Sequence, residues 1–454
     1  MSSPATLTAL PLDGWTDAES LFLRLFADTD AAFWLDAGPD AADGWSILGA
    51  GEVESDADAV RAVPLAVDAA AESPVPFRGG WVGWLDYESG AGRAGAPVTR
   101  AERQPQGAWI AVHRAIALDH ARRRLWTLAD PASAEAWQAQ VRSALSDDTA
   151  PPPPPVPATS TAVARHGVRE YTGLIEECRE AIRRGDAYQL CLTTRFRAPR
   201  PADPLSAYRR LRAATPAHHG GYLRAGDRSL LSASPEQFLA VSRGFVSTSP
   251  IKGTRPRSQD PVEDARLAEE LRTDVKERAE NVMIVDLMRN DLSHVGVPGT
   301  LNVGRLWQVE TYPAVHQLVS AVSVRLRDGI RFGELCDATF PAGSMTGAPK
   351  LSAMSILNRL EAAPRGVYAG CFGHVGLDGR VDLAMVIRSI VVERDGAYVG
   401  AGGGITWLSR PDAEAAEVAT KARAPLAALA AELPREWAAL TADLTEAGGE
   451  GNSR

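Results

Sequence analysis

Lys252 stands between a proline and a glycine, in Pro250-Ile251-Lys252-Gly253-Thr254-Arg255-Pro256-Arg257, with two arginines just beyond it. A lysine held on a tight turn can act as a nucleophile if it is neutral, and burial and neighbouring positive charge such as Arg255 or Arg257 both favour the neutral amine. A solvated loop lysine is the alternative reading of the same residues. Upstream, Ser234-Pro235-Glu236 puts a carboxylate at what reads as a strand end.

Two acidic pairs share one spacing. Glu277 and Glu280, and Glu414 and Glu417, are each three residues apart on predicted helices, so each pair occupies one helix face. Two such faces brought together would offer four carboxylates to a hard cation. Mg²⁺ prefers oxygen ligands and takes one or two carboxylates with water and an anionic substrate. Kept apart, the pairs are solvated helix faces. Lys421, four residues after Glu417, is placed either for an ion pair along the helix or as a cation beside those carboxylates. Arg388 lies inside the apolar run Val386-Ile387-Arg388-Ser389, where a buried guanidinium needs an anion: a ligand carboxylate or an internal salt bridge. Gly402 and Gly404 close a strand, where unhindered backbone amides can cradle an anion. Gly343 to Lys350 opens a helix with Pro349 in its first turn, an ordinary cap or an anion site. His316 is a lone histidine among Val315, Leu318 and Val319, as core histidines often are.

The elements that must position these groups follow from periodicity. In residues 1–150 a short helix spans Ser20 to Phe26 and a strand Ala31 to Leu35. A glycine-punctuated strand covers Arg78 to Tyr87, and a hairpin joins Trp109 to Leu118 with Arg124 to Leu128. This block reads as a scaffold half-sheet. Five prolines open a stiff linker over 151–164. Residues 165–432 form the block that carries the chemistry. It holds a helix over Tyr171 to Arg184 stopped by Gly185, a strand over Tyr188 to Phe196, and helices over Val262 to Arg272 and Lys276 to Leu292. The last has Val282, Ile284, Val285, Met288 and Leu292 on its apolar side. A helix over Ala348 to Leu360 and a strand or strand pair over Val381 to Glu393 follow. The stretch Pro411 to Glu432 is helical, and Pro425 is expected to kink or break it. Residues 433–454 are a helix end with a disordered tail beyond Thr445. Strands and helices without strict βαβ repeats predict an α+β fold, and Gly400 to Gly404 is not a dinucleotide-binding turn.

The chain of 454 residues has a formal net charge of −9 and no basic block, which argues against nucleic acid. An anionic ligand must therefore be bound by local charge. Four scattered cysteines without a CxxC pair argue against zinc and for a reducing compartment. No leader-like segment and no membrane-length apolar run is seen, so a cytoplasmic protein is expected.

In order and spacing these stretches resemble one family, the chorismate-utilising enzymes, which include anthranilate, aminodeoxychorismate, isochorismate and salicylate synthases. The match is carried by Gly185 to Gln189, Ser234 to Glu236, Pro250 to Arg257, Lys276 to Leu292, and His316 to Ser320. Gly343 to Lys350, Arg365 to Gly370, Ile387 to Ser389 and Gly402 to Ala422 complete it. The resemblance implies two antiparallel β-sheets packed as a sandwich with helices outside. It implies Mg²⁺ held by Glu280 and Glu417, with Glu277 and Glu414 in the same site, directly or through water, and the ring carboxylate of chorismate on the metal. Arg388, Tyr368 and the amides of Gly402 and Gly404 would hold the enolpyruvyl carboxylate. Thr346 and Lys421 would line the pocket, and His316 and Glu236 would be the acid/base groups.

Two positions then separate branches of the family. Gln189 resembles the ammonia-using members; water-using members carry a lysine there as general base, and a neutral amide cannot deprotonate water. Lys252 resembles the branch forming 4-amino-4-deoxychorismate (component I), where anthranilate and isochorismate synthases usually have alanine. Lys252 would attack C2 while Glu236 protonates the leaving C4 hydroxyl, and ammonia would then take C4. No Cys-His-Glu glutaminase module or lyase segment is visible. Ammonia is therefore expected from a separate glutamine amidotransferase subunit, and release of pyruvate to give 4-aminobenzoate from another enzyme. The alternatives are anthranilate synthase component I, an aminodeoxyisochorismate-forming enzyme, and, in a different class, a non-catalytic chorismate- or tryptophan-binding regulator. The regulator would require damaged metal ligands, and all four glutamates are present.

Overall fold

A computed structural model describes residues 4–65, 73–99, 107–147, 149–312 and 315–447. Periodicity and punctuation translate into elements nearly in place. Helices form over Ala18–Leu25, Val168–Arg183, Pro261–Thr273, Val275–Ser293 and Lys350–Glu361, and strands over Ala31–Asp36, Gly80–Leu85, Gly107–Asp119, Arg124–Ala129 and Gln189–Ala198. Asp274 shows the local logic. Its extended backbone ends one helix, and its side chain accepts the Glu277 N–H at 3.0 Å to cap the next. That turn sets the direction of the helix carrying Glu277 and Glu280. On this helix Ile284, Val285, Met288 and Leu292 are buried as expected, whereas Val282 is exposed.

Among the described residues, twenty strands join into one hydrogen-bonded network. The parallel pairing described is short, Ala431–Glu432 against Ser160–Thr161. Successive strand residues face opposite sides, and burial follows that alternation. Phe33, Leu223, Leu230 and Val391 enter one apolar cluster together with Val82, Phe238, Phe372 and Leu383 from the other sheet. Their neighbours Trp34, Tyr222, Leu231 and Ile390 enter a second, with Tyr171, Ile175, Leu205 and Val418 from helices. The first cluster is the filling of the expected sandwich and the second lies beneath its outer helices. The two sheets are continuous, because the strand Gly107–Asp119 pairs with both Trp45–Val53 and Gly80–Leu85.

The boundary at 151–164 does not divide two bodies. Ala31–Asp36 pairs with His219–Ala225, and Gly80–Leu85 with Cys371–Gly376, so strands of the first block are interleaved with those of the second. The proline run is tied down by Arg209, which donates to the Pro152 carbonyl at 2.6 Å, and by Arg210, which donates to that of Pro155 at 2.5 Å. Pro425 does not break its helix either, since Pro411–Ala428 is continuous. A proline there removes one backbone hydrogen bond. Val418, Ala419, Ala422, Leu426 and Pro425 itself are buried along the helix, and that packing outweighs the loss. The last described helix runs over Arg435–Ala447, and the tail expected to be disordered lies mostly outside the described residues. The four cysteines are buried and unpaired. Among the described residues no helix is long and apolar enough to cross a membrane.

Candidate active site

A cavity of about 500 Å³ gathers most of the chemistry-bearing residues. It is lined by Glu236, Lys252, Glu277, Glu280, Tyr368, Arg388, Gly402, Gly404, Glu414, Glu417 and Lys421. Elements distant in sequence converge on it: the strand Ile251–Pro256, the helices Val275–Ser293 and Pro411–Ala428, and the glycine-rich end of the strand Gly396–Ile405.

Lys252 reaches the cavity because its strand is irregular. Ile251–Pro256 pairs with Val315–Arg325, but the register shifts between Lys252 and Thr254, and Gly253 between them has φ +76°. A glycine with positive φ at a register shift is a bulge that re-aims its neighbours. A Cβ on Gly253 would stand 2.7 Å from Leu271 and 3.1 Å from Glu277, so the position is closed to larger residues. Lys252 Nζ lies 3.5 Å from Glu280 Oε2. Its surroundings differ from the expectation of crowding cations. Arg255 is engaged by Glu270 at 3.0 Å and Asp274 at 3.1 Å, and Arg257 by Asp264 at 2.8 Å. Burial opposes the charge on Lys252, but the Glu280 carboxylate, with help from Glu236 and Glu417, outweighs it and holds the amine above the ordinary lysine range.

Glu236 is 8% exposed, and burial pushes its carboxyl up to about 7, with Ser344 and Lys252 only partly offsetting that. It is therefore an acid near neutral pH, poised to give a proton or to take one. Arg388 adopts φ +52° and lines the cavity beside Tyr368. Among the described residues no carboxylate lies within ion-pair distance of its guanidinium, and burial holds it below the ordinary arginine range. An internal salt bridge is thereby set aside among the described residues. Gly400 is needed for this wall, since a Cβ there would stand 2.1 Å from the Tyr368 ring. The pairing strand Ser389–Glu393 covers the Gly396–Ile405 strand only as far as Val399. The edge from Gly400 to Gly404 then faces the cavity. Lys421 makes the expected ion pair along the helix, with Glu417 at 2.7 Å, and it also donates to the Gly402 carbonyl at 2.8 Å and lines the cavity.

Three expected residues, His316, Thr346 and Gln189, do not line the cavity. His316 is 2% exposed and faces the other side of its strand, with Nε2 2.9 Å from Asp264 and Nδ1 2.9 Å from the Thr311 hydroxyl. Its neighbour Gln317 lines the cavity instead, as strand alternation requires. Thr346 is buried with its hydroxyl donating to the Ala342 carbonyl at 3.1 Å, while Ser344 and Met345 form that wall. Gln189 is buried behind the Gly404 edge, close to Lys252. Sequence reasoning missed Gln317, Ser344 and Lys276 as lining groups, although all three fall in stretches it had singled out. It also missed the support behind the wall. Arg365, paired with Glu361 at 2.7 Å, donates to the carbonyls of Met345 at 2.6 Å and Cys191 at 2.8 Å, both cavity residues.

The carboxylates provide hard oxygen donors, the set Mg²⁺ takes. As they stand, no three acidic, histidine or cysteine groups among the described residues are gathered closely enough to hold an ion, and Lys252 and Lys421 approach Glu280 and Glu417. Burial pushes Glu277 and Glu414 up from the usual carboxylate range. Burial acts the same way on Glu417, but Lys421 outweighs it and holds that group down. Lys276 only partly offsets burial at Glu277 and Glu414, and their oxygen donors are of the kind a divalent cation takes. The opposite charges, Arg388, Lys421 and Lys252, with the open glycine edge, suit an anionic ligand.

The description "chorismate binding enzyme" matches residues 15–427. An aminodeoxychorismate synthase of Streptomyces pristinaespiralis is 40% identical over 91% of the chain, which spans 64% of that relative's length. An anthranilate synthase component 1 of Streptomyces coelicolor is 40% identical over 78% of the chain and 73% of its own length. The crystal structure of anthranilate synthase component I from Streptococcus pneumoniae superposes with a TM-score of 0.70 at 27% identity, covering 94% of this chain and 93% of that one.

Proposed function

Because the chain belongs to the chorismate-binding enzymes, we propose that it converts chorismate and ammonia to 4-amino-4-deoxychorismate, as an aminodeoxychorismate synthase component I. Relatives of both amino-transferring kinds reach 40% identity, but the match to an aminodeoxychorismate synthase extends over 91% of the chain and that to an anthranilate synthase component 1 over 78%, which favours the 4-amino product. The observation that carries the choice is Lys252, a primary amine inside the cavity that the protonatable Glu236 also lines.

The residues support a two-step exchange. Arg388 and the Gly402–Gly404 edge hold one carboxylate of the substrate, and the glutamates of the two helices would hold Mg²⁺. When bound, the cation would anchor the second carboxylate and neutralise charge now facing Lys252. Lys252 attacks C2 as the neutral amine. The ring electrons shift and the C4 hydroxyl leaves with a proton from Glu236, while the proton lost by Nζ returns to Glu236. Ammonia then bonds to C4 and the C2–Nζ bond breaks, one ammonia proton ending on Nζ. The enolpyruvyl group stays in place throughout. A glutamine-hydrolysing partner would supply the ammonia, and the buried unpaired cysteines suit a reducing cytoplasm. The assay is direct: chorismate, Mg²⁺ and ammonium are incubated with the chain and the amino product is identified by chromatography and mass. The expected product retains the enolpyruvyl group. Formation of fluorescent anthranilate with release of pyruvate would reject the assignment.

A further inference from the structure

A second cavity, of about 200 Å³, is lined from the helices Tyr87–Arg93 and Phe332–Thr339 and shares no lining residue with the first. Its floor is aromatic. Trp109, Phe332 and Phe340 are each 3% exposed or less, and the Trp109 and Phe332 rings meet edge to face with centroids 6.0 Å apart. The first helix closes on that floor through a glycine, since a Cβ on Gly90 would stand 2.3 Å from the Phe340 ring. Two guanidiniums belong to the lining. Arg61 is fixed by the Asp337 carboxylate at 2.7 Å and the Gly333 carbonyl at 3.2 Å. Arg93 is exposed, and among the described residues it has neither an ion pair nor a side-chain hydrogen bond. The other acid there, Glu54, accepts the Trp81 indole N–H at 3.2 Å and the Asp56 N–H at 2.9 Å.

We propose that this cavity is a second small-molecule site, taking a small aromatic carboxylate, and that its occupancy is coupled to the chorismate cavity. The volume admits one substituted ring and is below the roughly 300–1,000 Å³ of sites for larger ligands. The ring packs on Trp109, Phe332 and Phe340, and the carboxylate meets the unmatched charge of Arg93 with Arg61 beside it. Coupling follows from the chain on both sides. Gly90 and Arg93 line the second cavity, while the first turn of the same helix holds a loop of the other. The Tyr87 N–H donates to the Gly366 carbonyl at 2.9 Å, and the Glu88 carboxylate accepts the N–H groups of Arg365 at 2.6 Å and Gly366 at 2.9 Å. Tyr368, two residues on, is a wall of the chorismate cavity. On the opposite side Phe340 lines the second cavity, and Ser344 and Met345 shortly after it line the first. A ligand that moves this helix or Phe340 therefore acts on two stretches of the chorismate wall. The coupling rests on the function proposed above; the binding does not.

The probe is 4-aminobenzoate, titrated calorimetrically into the full chain. Its affinity should fall about tenfold or more in Arg93→Gln, the scale of a lost charge-assisted hydrogen bond. The uncharged 4-aminobenzamide should bind the unsubstituted chain correspondingly weakly. Arg388→Ala, in the chorismate cavity, should leave the affinity for 4-aminobenzoate unchanged. In Lys252→Ala with Mg²⁺, where chorismate binds without reacting, the probe should shift the chorismate Kd to a plateau, and chorismate should shift the probe Kd by the same factor. Direct competition would give no plateau. No binding at millimolar probe, or binding that Arg388→Ala abolishes and Arg93→Gln spares, overturns the site. Binding through Arg93 that leaves the chorismate Kd unmoved, or shifts it without limit, overturns the coupling. A chain that binds the probe through Arg93 but does not bind chorismate would instead overturn the proposed function, a separable result.

Discussion

Replacing Glu236 by glutamine separates what this carboxyl does for the reaction from what it costs the fold. The folded protein keeps the Glu236 proton up to about pH 7, whereas the unfolded chain releases it near 4.5. Between those values the native state binds more protons than the unfolded one, so this group's contribution lowers stability as pH rises through the window. Below pH 4.5 both states are protonated and the cost vanishes; above 7 both are ionised and it is complete. A shift of this size corresponds to about 3 kcal/mol. Glutamine has the same shape and no charge to bury. Urea unfolding at pH 4.5 and pH 8 should therefore find Glu236→Gln near parity with the parent at the lower pH. At the higher pH it should be the more stable by up to about 3 kcal/mol. The same variant should lose roughly 10²- to 10⁴-fold in kcat, the usual contribution of a positioned acid, and the parent's rate should decline above about pH 7 as the acid form is lost. Stability differences that stay constant from pH 4.5 to 8 would refute the claim that burial keeps this carboxyl protonated.

Two further predictions concern the walls. Arg388→Ala should raise the KM for chorismate about 10- to 100-fold, the scale of a charge-assisted hydrogen bond. Denaturant unfolding should show no loss of stability, since the guanidinium has no internal ion-pair partner among the described residues; an unchanged KM would remove Arg388 from the site. Arg365→Met should destabilise the protein by about 3–5 kcal/mol, because it leaves Glu361 as a lone buried carboxylate. The double variant Arg365→Met, Glu361→Leu should recover part of that loss in urea, and a single variant within 1 kcal/mol of the parent would contradict this account.

The order of elements was legible in the sequence because it rests on short-range helical and strand periods, whereas spacing alone left the paired glutamates and Lys252 open between a site and solvated positions, and the family resemblance decided for the site. Which face of a strand looks into a cavity is not short-range. His316 and Gln317 are adjacent, alternation sends one each way, and the choice depends on the partner strand and on the bulge at Gly253. The same holds for the turn at Gly343 to Thr346, where Ser344 and Met345 rather than Thr346 meet the cavity. The expected cationic surroundings of Lys252 failed for a related reason. Arg255 and Arg257 are close in sequence but are drawn to Glu270, Asp274 and Asp264, while Glu280 arrives from a later helix. The boundary at the prolines marked a real composition change, but pairing between Gly80–Leu85 and Cys371–Gly376 spans nearly 300 residues and leaves no local trace.

The central claim is that Lys252 bonds to the substrate. The measurement is the intact mass of the chain after brief exposure to chorismate and Mg²⁺ without ammonia. The account predicts a species heavier by chorismate less one water, mapped by peptide digestion to Lys252, absent in Lys252→Ala, and discharged when ammonium is added. An unmodified chain that nonetheless forms 4-amino-4-deoxychorismate, or a Lys252→Ala variant that forms it undiminished, would contradict it.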